Sequence, residues 1–342
     1  MGGLRIAFAA FAAGVAAAPA PTAQDLRIRE HVEVRRLLLD VRVVDSRGNP
    51  ILSLRPEDFV VSVDGRPAVL ESVEWISGEE PYAEGFTPEE TAAIGAPLTP
   101  PGRLIVYFFQ TDFSSVRLSG LMHMKFKAIE MLQTLHPGDR VAVVSFDSHL
   151  KLRQDFTDDI DELTAAIHGA ILFGEERYVA PGPFPSLARS FDRAAAKRAA
   201  EPETGLLVTA RALEALPGTK SLVFFGWGLG RLTRPWVTLG RDYGPARAAL
   251  TRARVTVFAI DVTDADNHDL EVGLEQVATD TGGFYAKTNL FPDQAITRLE
   301  GALAGHYVLV IVKPELPPGE HAVDIELTRR RGTVLAQPTY QD

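Results

Sequence analysis

The 342-residue chain contains no cysteine. That excludes a disulfide framework, a thiol nucleophile and a lipid-bearing cysteine. An exported chain of this kind must rely on its hydrophobic core. The eight histidines are scattered, and none falls in H-E-x-x-H or another zinc-ligand spacing. His123 and His168 read as surface or half-buried residues. A G-x-S-x-G nucleophile elbow is also missing. Lys and Arg total 35 against 45 Asp and Glu, a net charge of −10, with no basic cluster. The basic footprint that nucleic-acid binding needs is therefore absent. Beyond the N-terminus, no segment is apolar for long enough to span a bilayer.

What is present begins with MGGLRIAFAAFAAGVAAAPAPTAQ. One arginine precedes an apolar run over 6–18, and small residues and prolines follow. This pattern predicts a secretory signal peptide over 1–23, cleaved near 18–23, and hence a secreted or periplasmic protein with no transmembrane segment after cleavage. A membrane anchor or an N-terminal helix is the alternative reading. Hydrophobic content of 46% and charged content of 23% are ordinary for a globular protein. The length suits one large domain and one small one.

Residues 31–76 read as a compact β unit, with a turn cluster at Asp45-Ser46-Arg47-Gly48-Asn49-Pro50 and a hairpin turn at Asp64-Gly65. Residues 77–102 are rich in Pro, Gly and Glu without periodicity, and read as a linker. From 103 to 304 strand and helix patterns alternate. Strands are expected at 103–109, 140–147, 150–156, 220–226, 254–261 and 283–287. Helices are expected at 117–135, 158–170, 204–216, 243–253, 269–280 and 292–304. Such alternation predicts an α/β fold built on a doubly wound, mostly parallel six-stranded sheet. An insert at 173–202, with three prolines and then a charged segment, is expected at the carboxyl end of that sheet, where inserts commonly shape a ligand surface. The tail, 305–342, reads as strands that pack with the N-terminal β unit into a small β platform.

The central stretch is RLIVYFFQTDFSS, residues 103–115. A continuous apolar run reads as a strand buried on both faces. Gln110, Thr111, Asp112, Ser114 and Ser115 follow it, and then an amphipathic segment over 118–135. Strand, polar loop and helix place a binding site at the carboxyl end of a central strand.

Three groups of residues make the chain resemble a von Willebrand factor A domain. They are similar most of all to the secreted bacterial, acidobacterial-type VWFA-related domain proteins. First is LLLDVRVVDSRGNPILSLRPEDFVVSVDGRPAVLESVEWI, with its D-x-x-G-x-P turn and P-E-D-F…D-G-x-P signature. Second is GDRVAVVSFD together with Thr281-Gly282-Gly283-Phe284-Tyr285. Third is the tail strand pair that opens at His306-Tyr307. The resemblance covers about 31–340. It implies a Mg²⁺ site made from a D-x-S-x-S loop, a threonine from a second loop and an aspartate after the fourth strand, all oxygen ligands suited to a hard cation. Gln110-Thr111-Asp112-Phe113-Ser114 stands where D-x-S-x-S would be, and Phe224-Phe225-Gly226-Trp227-Gly228 where the aspartate would be. The resemblance thus implies a degenerate metal-ion-dependent adhesion site with Asp112, Ser114 and Thr204 as its remaining metal ligands. Asp112 and Ser114 also suit the capping of the following helix.

Gly226-x-Gly228-x-Gly230 follows a strand, but the third glycine is misplaced for a dinucleotide fingerprint. Trp227 and Trp236 flank this loop, and either anchor a partner or pack beneath the insert. Asp155, Asp158, Asp159, Asp161 and Glu162 read as a solvated helix start. Asp261, at a strand end, reads as a second carboxylate near the site or as a turn residue. With no nucleophile–base set in view, the expectation is an exported, non-enzymatic module that binds a protein partner. It would use no cofactor, or a weakly bound Mg²⁺. The alternative is a Mg²⁺-dependent adhesion module in which Asp112, Ser114 and Thr204 hold the ion.

Overall fold

A computed structural model describes residues 35–77, 102–112, 114–233 and 236–341. The expected signal peptide and all but the ends of the expected linker lie outside the described residues. The first elements are β1 (Arg36–Val44), β2 (Phe59–Val63), β3 (Arg66–Pro67), β4 (Leu70–Ile76), β5 (Leu104–Gln110) and α1 (Ser115–Leu132). Next come β6 (Arg140–Phe146), β7 (Leu150–Thr157), α2 (Ile160–Ile171), α3 (Arg193–Arg198), α4 (Pro202–Leu213), β8 (Lys220–Gly226), β9 (Arg231–Thr233) and β10 (Trp236–Thr238). The chain continues through α5 (Tyr243–Arg252), β11 (Val255–Asp261), α6 (Glu271–Asp280), β12 (Tyr285–Lys287) and α7 (Pro292–Leu303). It ends in β13 (His306–Val312), β14 (Glu320–Leu327), β15 (Thr333–Ala336) and β16 (Thr339–Gln341).

The central sheet has the order β12-β11-β8-β5-β6-β7. Side chains alternate across β5 as a strand requires. Val106 and Phe108 join one core with α4, α5 and α6. Ile105, Tyr107 and Phe109 join another with α1, α2 and α7. Phe108 stacks on Phe224 at 4.8 Å on one face, and Phe109 on Phe225 at 4.9 Å on the other.

This architecture corrects the expected doubly wound, mostly parallel sheet with a small platform. The six-stranded sheet is mixed, because β7 runs antiparallel to β6. Only Asp147, Ser148 and His149 join those two strands, and so short a link can make a hairpin but no parallel crossover. Ten of the sixteen strands lie in three wholly antiparallel sheets. Two of these, β15-β1-β13-β4 and β16-β14-β2-β3, each have four strands. Leu39, Val41 and Val43 of β1 meet Phe59, Val61 and Val63 of β2 and Leu309 and Ile311 of β13 in one core, so the two sheets face each other as a sandwich. The helix–strand alternation in mid-chain masked the weight of these end strands. The two- and three-residue strands are also too short to carry a periodic signal.

β1 faces two ways. Its odd-numbered residues fill the sandwich, while Asp40 and Arg42 reach the amino ends of β8 and β11. Arg42 Nε donates to Ala302 O at 3.0 Å, Nη1 to Thr256 Oγ1 at 2.8 Å and Nη2 to Ser221 Oγ at 3.2 Å. Arg254 Nε donates to Asp40 Oδ2 at 2.8 Å. The sandwich thus closes on the amino end of the central sheet and leaves the carboxyl end to loops.

The 173–202 insert keeps to the expected carboxyl end only at its two ends, where Glu176 meets His149 and Glu201 pairs with Arg231, while its middle runs down the β7 edge. Asp155, near the end of the antiparallel β7, accepts from Gly182 N at 3.0 Å, Ser186 Oγ at 2.6 Å and Leu187 N at 2.7 Å. Because β7 is antiparallel, that anchor lies toward the amino ends of the parallel strands. The insert also covers a sheet edge that would otherwise expose unpaired backbone groups.

Candidate functional site

Gln110, Gly226 and Asp261 end three neighbouring strands in register. Around them the loops after β5, β8 and β11 converge, as the strand–loop–helix order at residues 103–115 implies. Gln110 is buried, and its Oε1 accepts from Trp227 N at 3.0 Å and Gly228 N at 3.2 Å. Its Nε2 is buried with no hydrogen-bond partner among the described residues. A Cβ on Gly226 would meet the Phe224 ring at 2.1 Å, so glycine is required here by close packing rather than by a phosphate.

Asp112 accepts from Ser114 N at 2.8 Å and forms an ion pair with Arg117. The Arg117 guanidinium lies 3.6 Å from the centroid of the Trp227 ring. A side-chain cation therefore already stands beside the Asp112 carboxylate, held there by an aromatic face. Ser114 is the N-cap of α1, though its side chain makes no capping bond. Thr204 is engaged elsewhere. Its Oγ1 donates to Asp242 Oδ2 at 2.7 Å. Asp112 and Ser114 lie together, and no hydrogen bond among the described residues joins Thr204 to either.

Thr204 instead belongs to a clamp. Pro202 opens α4, and the next residue, Glu203, is buried. Its Oε1 accepts from Gly230 N at 2.8 Å and Gly240 N at 3.1 Å. Those two glycines flank the β9–β10 hairpin, which among the described residues pairs with no other sheet. Glu201 adds an ion pair to Arg231 at the hairpin's first strand. The hairpin carries Trp236, 74% exposed, and Leu232, also exposed. The two tryptophans therefore differ. Trp227 packs half-buried under Arg117, not under the insert, while Trp236 stands in solvent.

Asp261 is buried and fully engaged. Its Oδ2 accepts from Tyr285 OH at 2.7 Å and pairs with His268 Nε2 at 2.8 Å, and its Oδ1 accepts from Thr263 N at 2.9 Å. Burial alone would raise its pKa, but the bonds from His268, Thr263 and Tyr285 hold it below the usual carboxylate range. Burial and the Asp261 charge push the Tyr285 hydroxyl up. Asp261, His268 and Glu271 offer ligand atoms within 4.8 Å of one another, the grouping among the described residues that could hold a metal ion. Lys287 Nζ already sits 2.7 Å from Glu271 and 2.6 Å from Asp266 O. A cation there would have to displace the ammonium and the Tyr285 proton. The network instead ties the 262–271 loop to the ends of β11 and β12.

Sequence reasoning missed Arg117, Glu203 and His268. Arg117 had a signal: a basic residue in the first turn of a helix opposes the helix dipole, and so needs a local acidic partner. Glu203, next to a proline at a helix start, carried the ordinary mark of a first-turn acid and no sign of its burial.

No protein-family model matches the chain, and no curated protein matches it. Among solved structures, the PilB minor pilin from Streptococcus sanguinis is similar at 14% identity and a TM-score of 0.37, over 60% of this chain and 61% of that one. The chain thus spans about three fifths of that pilin's length. The conserved hypothetical protein BatB from Bacteroides thetaiotaomicron is similar at 12% identity and a TM-score of 0.38, over 59% of this chain and 99% of that one. The three N-terminal domains of the type V pili tip protein Mfa5 from Porphyromonas gingivalis are similar at 11% identity and a TM-score of 0.38, over 85% and 69%. Likeness this distant assigns neither fold nor function. Among the described residues, no helix is long and apolar enough to cross a membrane.

Proposed function

We propose that the chain is an exported, non-enzymatic module that binds a protein partner through the loops at the carboxyl end of the central sheet. One observation carries this reading: Trp236 is presented to solvent on a hairpin that Glu203 clamps at both ends. A large aromatic side chain on a rigid mount is the kind of anchor that dominates protein interfaces. Exposed apolar neighbours extend the surface. The backbone at Leu229 packs against Gly273 in the first turn of α6, next to the exposed Val272. Leu290 and Phe291, both exposed, follow β12 on the same end. Apolar groups gathered in this way mark interaction surfaces.

The side-chain chemistry supports a non-enzymatic role. Among the described residues, the serine and histidine that meet are Ser148 and His149, with Ser148 Oγ 3.1 Å from His149 Nδ1. The Ser148 hydroxyl donates to Asp147 Oδ1 at 2.9 Å, which turns its proton away from the imidazole. Kinship with the VWFA-related proteins is part of the proposal and rests on sequence motifs. Asp45 of D-x-x-G-x-P closes the turn after β1 by accepting from Arg47 N and Asn49 N, and Gly138-Asp139-Arg140 leads into β6. Export rests on the 1–23 sequence pattern.

A photo-crosslinker placed at position 237 tests the docking surface. The expected result is one recurrent protein adduct that is lost in Trp236→Ala at unchanged circular dichroism. Adducts indifferent to Trp236→Ala would overturn the reading.

A further inference from the structure

The amino end of the central sheet holds a different kind of feature. A cavity of about 270 Å³ lies between the sandwich and the starts of β5, β6 and β8. Its polar wall is formed by Arg42, Arg103, Arg140, Thr219, Ser221 and His306, with no carboxylate among the described residues that line it.

Arg103 is neutralised, because Asp139 takes its Nε at 2.9 Å and pairs with its Nη2. Arg42 is not. It is buried, and its three hydrogen bonds all go to neutral oxygens. Asp40, two residues away, is engaged by Arg254. Burial pulls this guanidinium's pKa down to about 10, against the nearby Asp40 charge, and it stays charged at neutral pH with no carboxylate hydrogen-bonded to it. The half-buried Arg140 side chain has no hydrogen bond or ion pair among the described residues.

One hydroxyl points the same way. Ser221 Oγ accepts from Arg42, and its O–H donates to no described residue. Thr219 is already engaged, accepting from Arg254 at 3.1 Å and donating to the Asp40 carboxylate. His306 Nε2 is buried, 3.7 Å from Asp40 Oδ1, and makes no hydrogen bond. Unsatisfied polar atoms on Ser221 and His306, beside an arginine bonded only to neutral oxygens and an unpaired Arg140, describe a site for an anion. The other wall is apolar, with Leu104, Pro217, Leu303 and the insert's Phe184 and Pro185. Bare phosphate would gain nothing from that wall, and a planar carboxylate suits a guanidinium fork.

We propose that this cavity binds a small organic carboxylate, its carboxylate set between Arg42 and Arg140 and met by the Ser221 hydroxyl, its apolar body against Phe184 and Pro185. The site is independent of the carboxyl-end docking surface.

Calorimetry and thermal melts on the full chain test it with benzoate and hexanoate, with benzamide and hexanamide as neutral isosteres, and with inorganic phosphate. The expected result is saturable carboxylate binding, with no binding of the amides. Arg140→Gln should weaken it about tenfold or more, the worth of one charge-assisted bond. Phe184→Ala should weaken the carboxylates by a smaller factor, and Trp236→Ala should leave them unchanged. Absence of carboxylate binding at millimolar concentration would overturn the proposal. So would amides that bind as well as the acids, phosphate that binds as tightly as they do, or affinity untouched by Arg140→Gln in a folded variant.

Discussion

The two ends of the central sheet invert the usual expectation. The carboxyl end, where α/β sheets ordinarily take their ligands, has its charges matched from within. Asp112 holds Arg117, Asp261 holds His268 and Tyr285, Glu271 holds Lys287 and Glu203 holds two backbone amides. Among what this end exposes are the apolar side chains of Leu232, Trp236, Val272, Leu290 and Phe291. The amino end, covered by the sandwich, keeps a buried arginine hydrogen-bonded only to neutral oxygens, beside a Ser221 hydroxyl with an unused proton. Position relative to the strands is therefore a poorer guide to small-ligand binding than a count of unmatched donors and acceptors. The carboxyl end suits a protein surface and the amino end a small anion.

The largest effect is expected where burial is deepest. Asp40→Ala removes the carboxylate partner of Arg254 beneath the sandwich and should cost about 3 kcal/mol in urea unfolding. At the carboxyl end, Glu203→Gln should cost about 2 kcal/mol, because two backbone amides lose a charged acceptor. The same variant should loosen the hairpin and weaken crosslinking at position 237. Asp112→Asn breaks only a half-exposed ion pair and should cost about 0.5 kcal/mol. Trp236→Ala, at an exposed position, should change stability by less than about 0.5 kcal/mol while abolishing partner capture. A Trp236→Ala variant that unfolds easily would show that the hairpin is structural, and the contrast between the ends would fail.

The ends should also part company in acid. Burial pushes the His306 imidazole down to about pKa 3. The unfolded chain, with a histidine near 6.5, therefore binds a proton that the native state does not, and stability should fall as pH drops from about 6.5 toward about 3. His306→Gln should flatten that slope in chemical denaturation. Burial would raise the Asp40 carboxyl, but Arg254 holds it well below the ordinary range. Its contribution is present above about pH 4 and is lost only in stronger acid, as the pH falls through the depressed native value. Asp261, likewise depressed, adds to the acid limb from the carboxyl end.

Much of the central sheet was legible because its strands are continuous apolar runs between turn signals, as at Leu104-Ile105-Val106-Tyr107-Phe108-Phe109. The end strands were legible as strands that pack together but not as the two four-stranded sheets of a sandwich, since the register of residues 36–44 on 306–312 leaves no local trace. The middle of the insert was misplaced because its anchor, Asp155, looked like one more solvated acid before a helix. Asp159 is the true cap of α2, accepting from Asp161 N and Glu162 N. Arg42 did leave a mark: a lone arginine in Val41-Arg42-Val43-Val44 means that the second face of the strand meets polar groups. The expected metal ligands separated because Thr204, assigned by analogy, serves the hairpin clamp.

The most direct test of the account is a thermal melt of the full chain titrated with Mg²⁺, alongside Asp112→Ala. With Arg117 already paired to Asp112, the account predicts a melting temperature that stays flat to millimolar Mg²⁺ in both proteins. A saturable rise in the wild type that Asp112→Ala abolishes would contradict it, since an ion that binds the native state must stabilise that state.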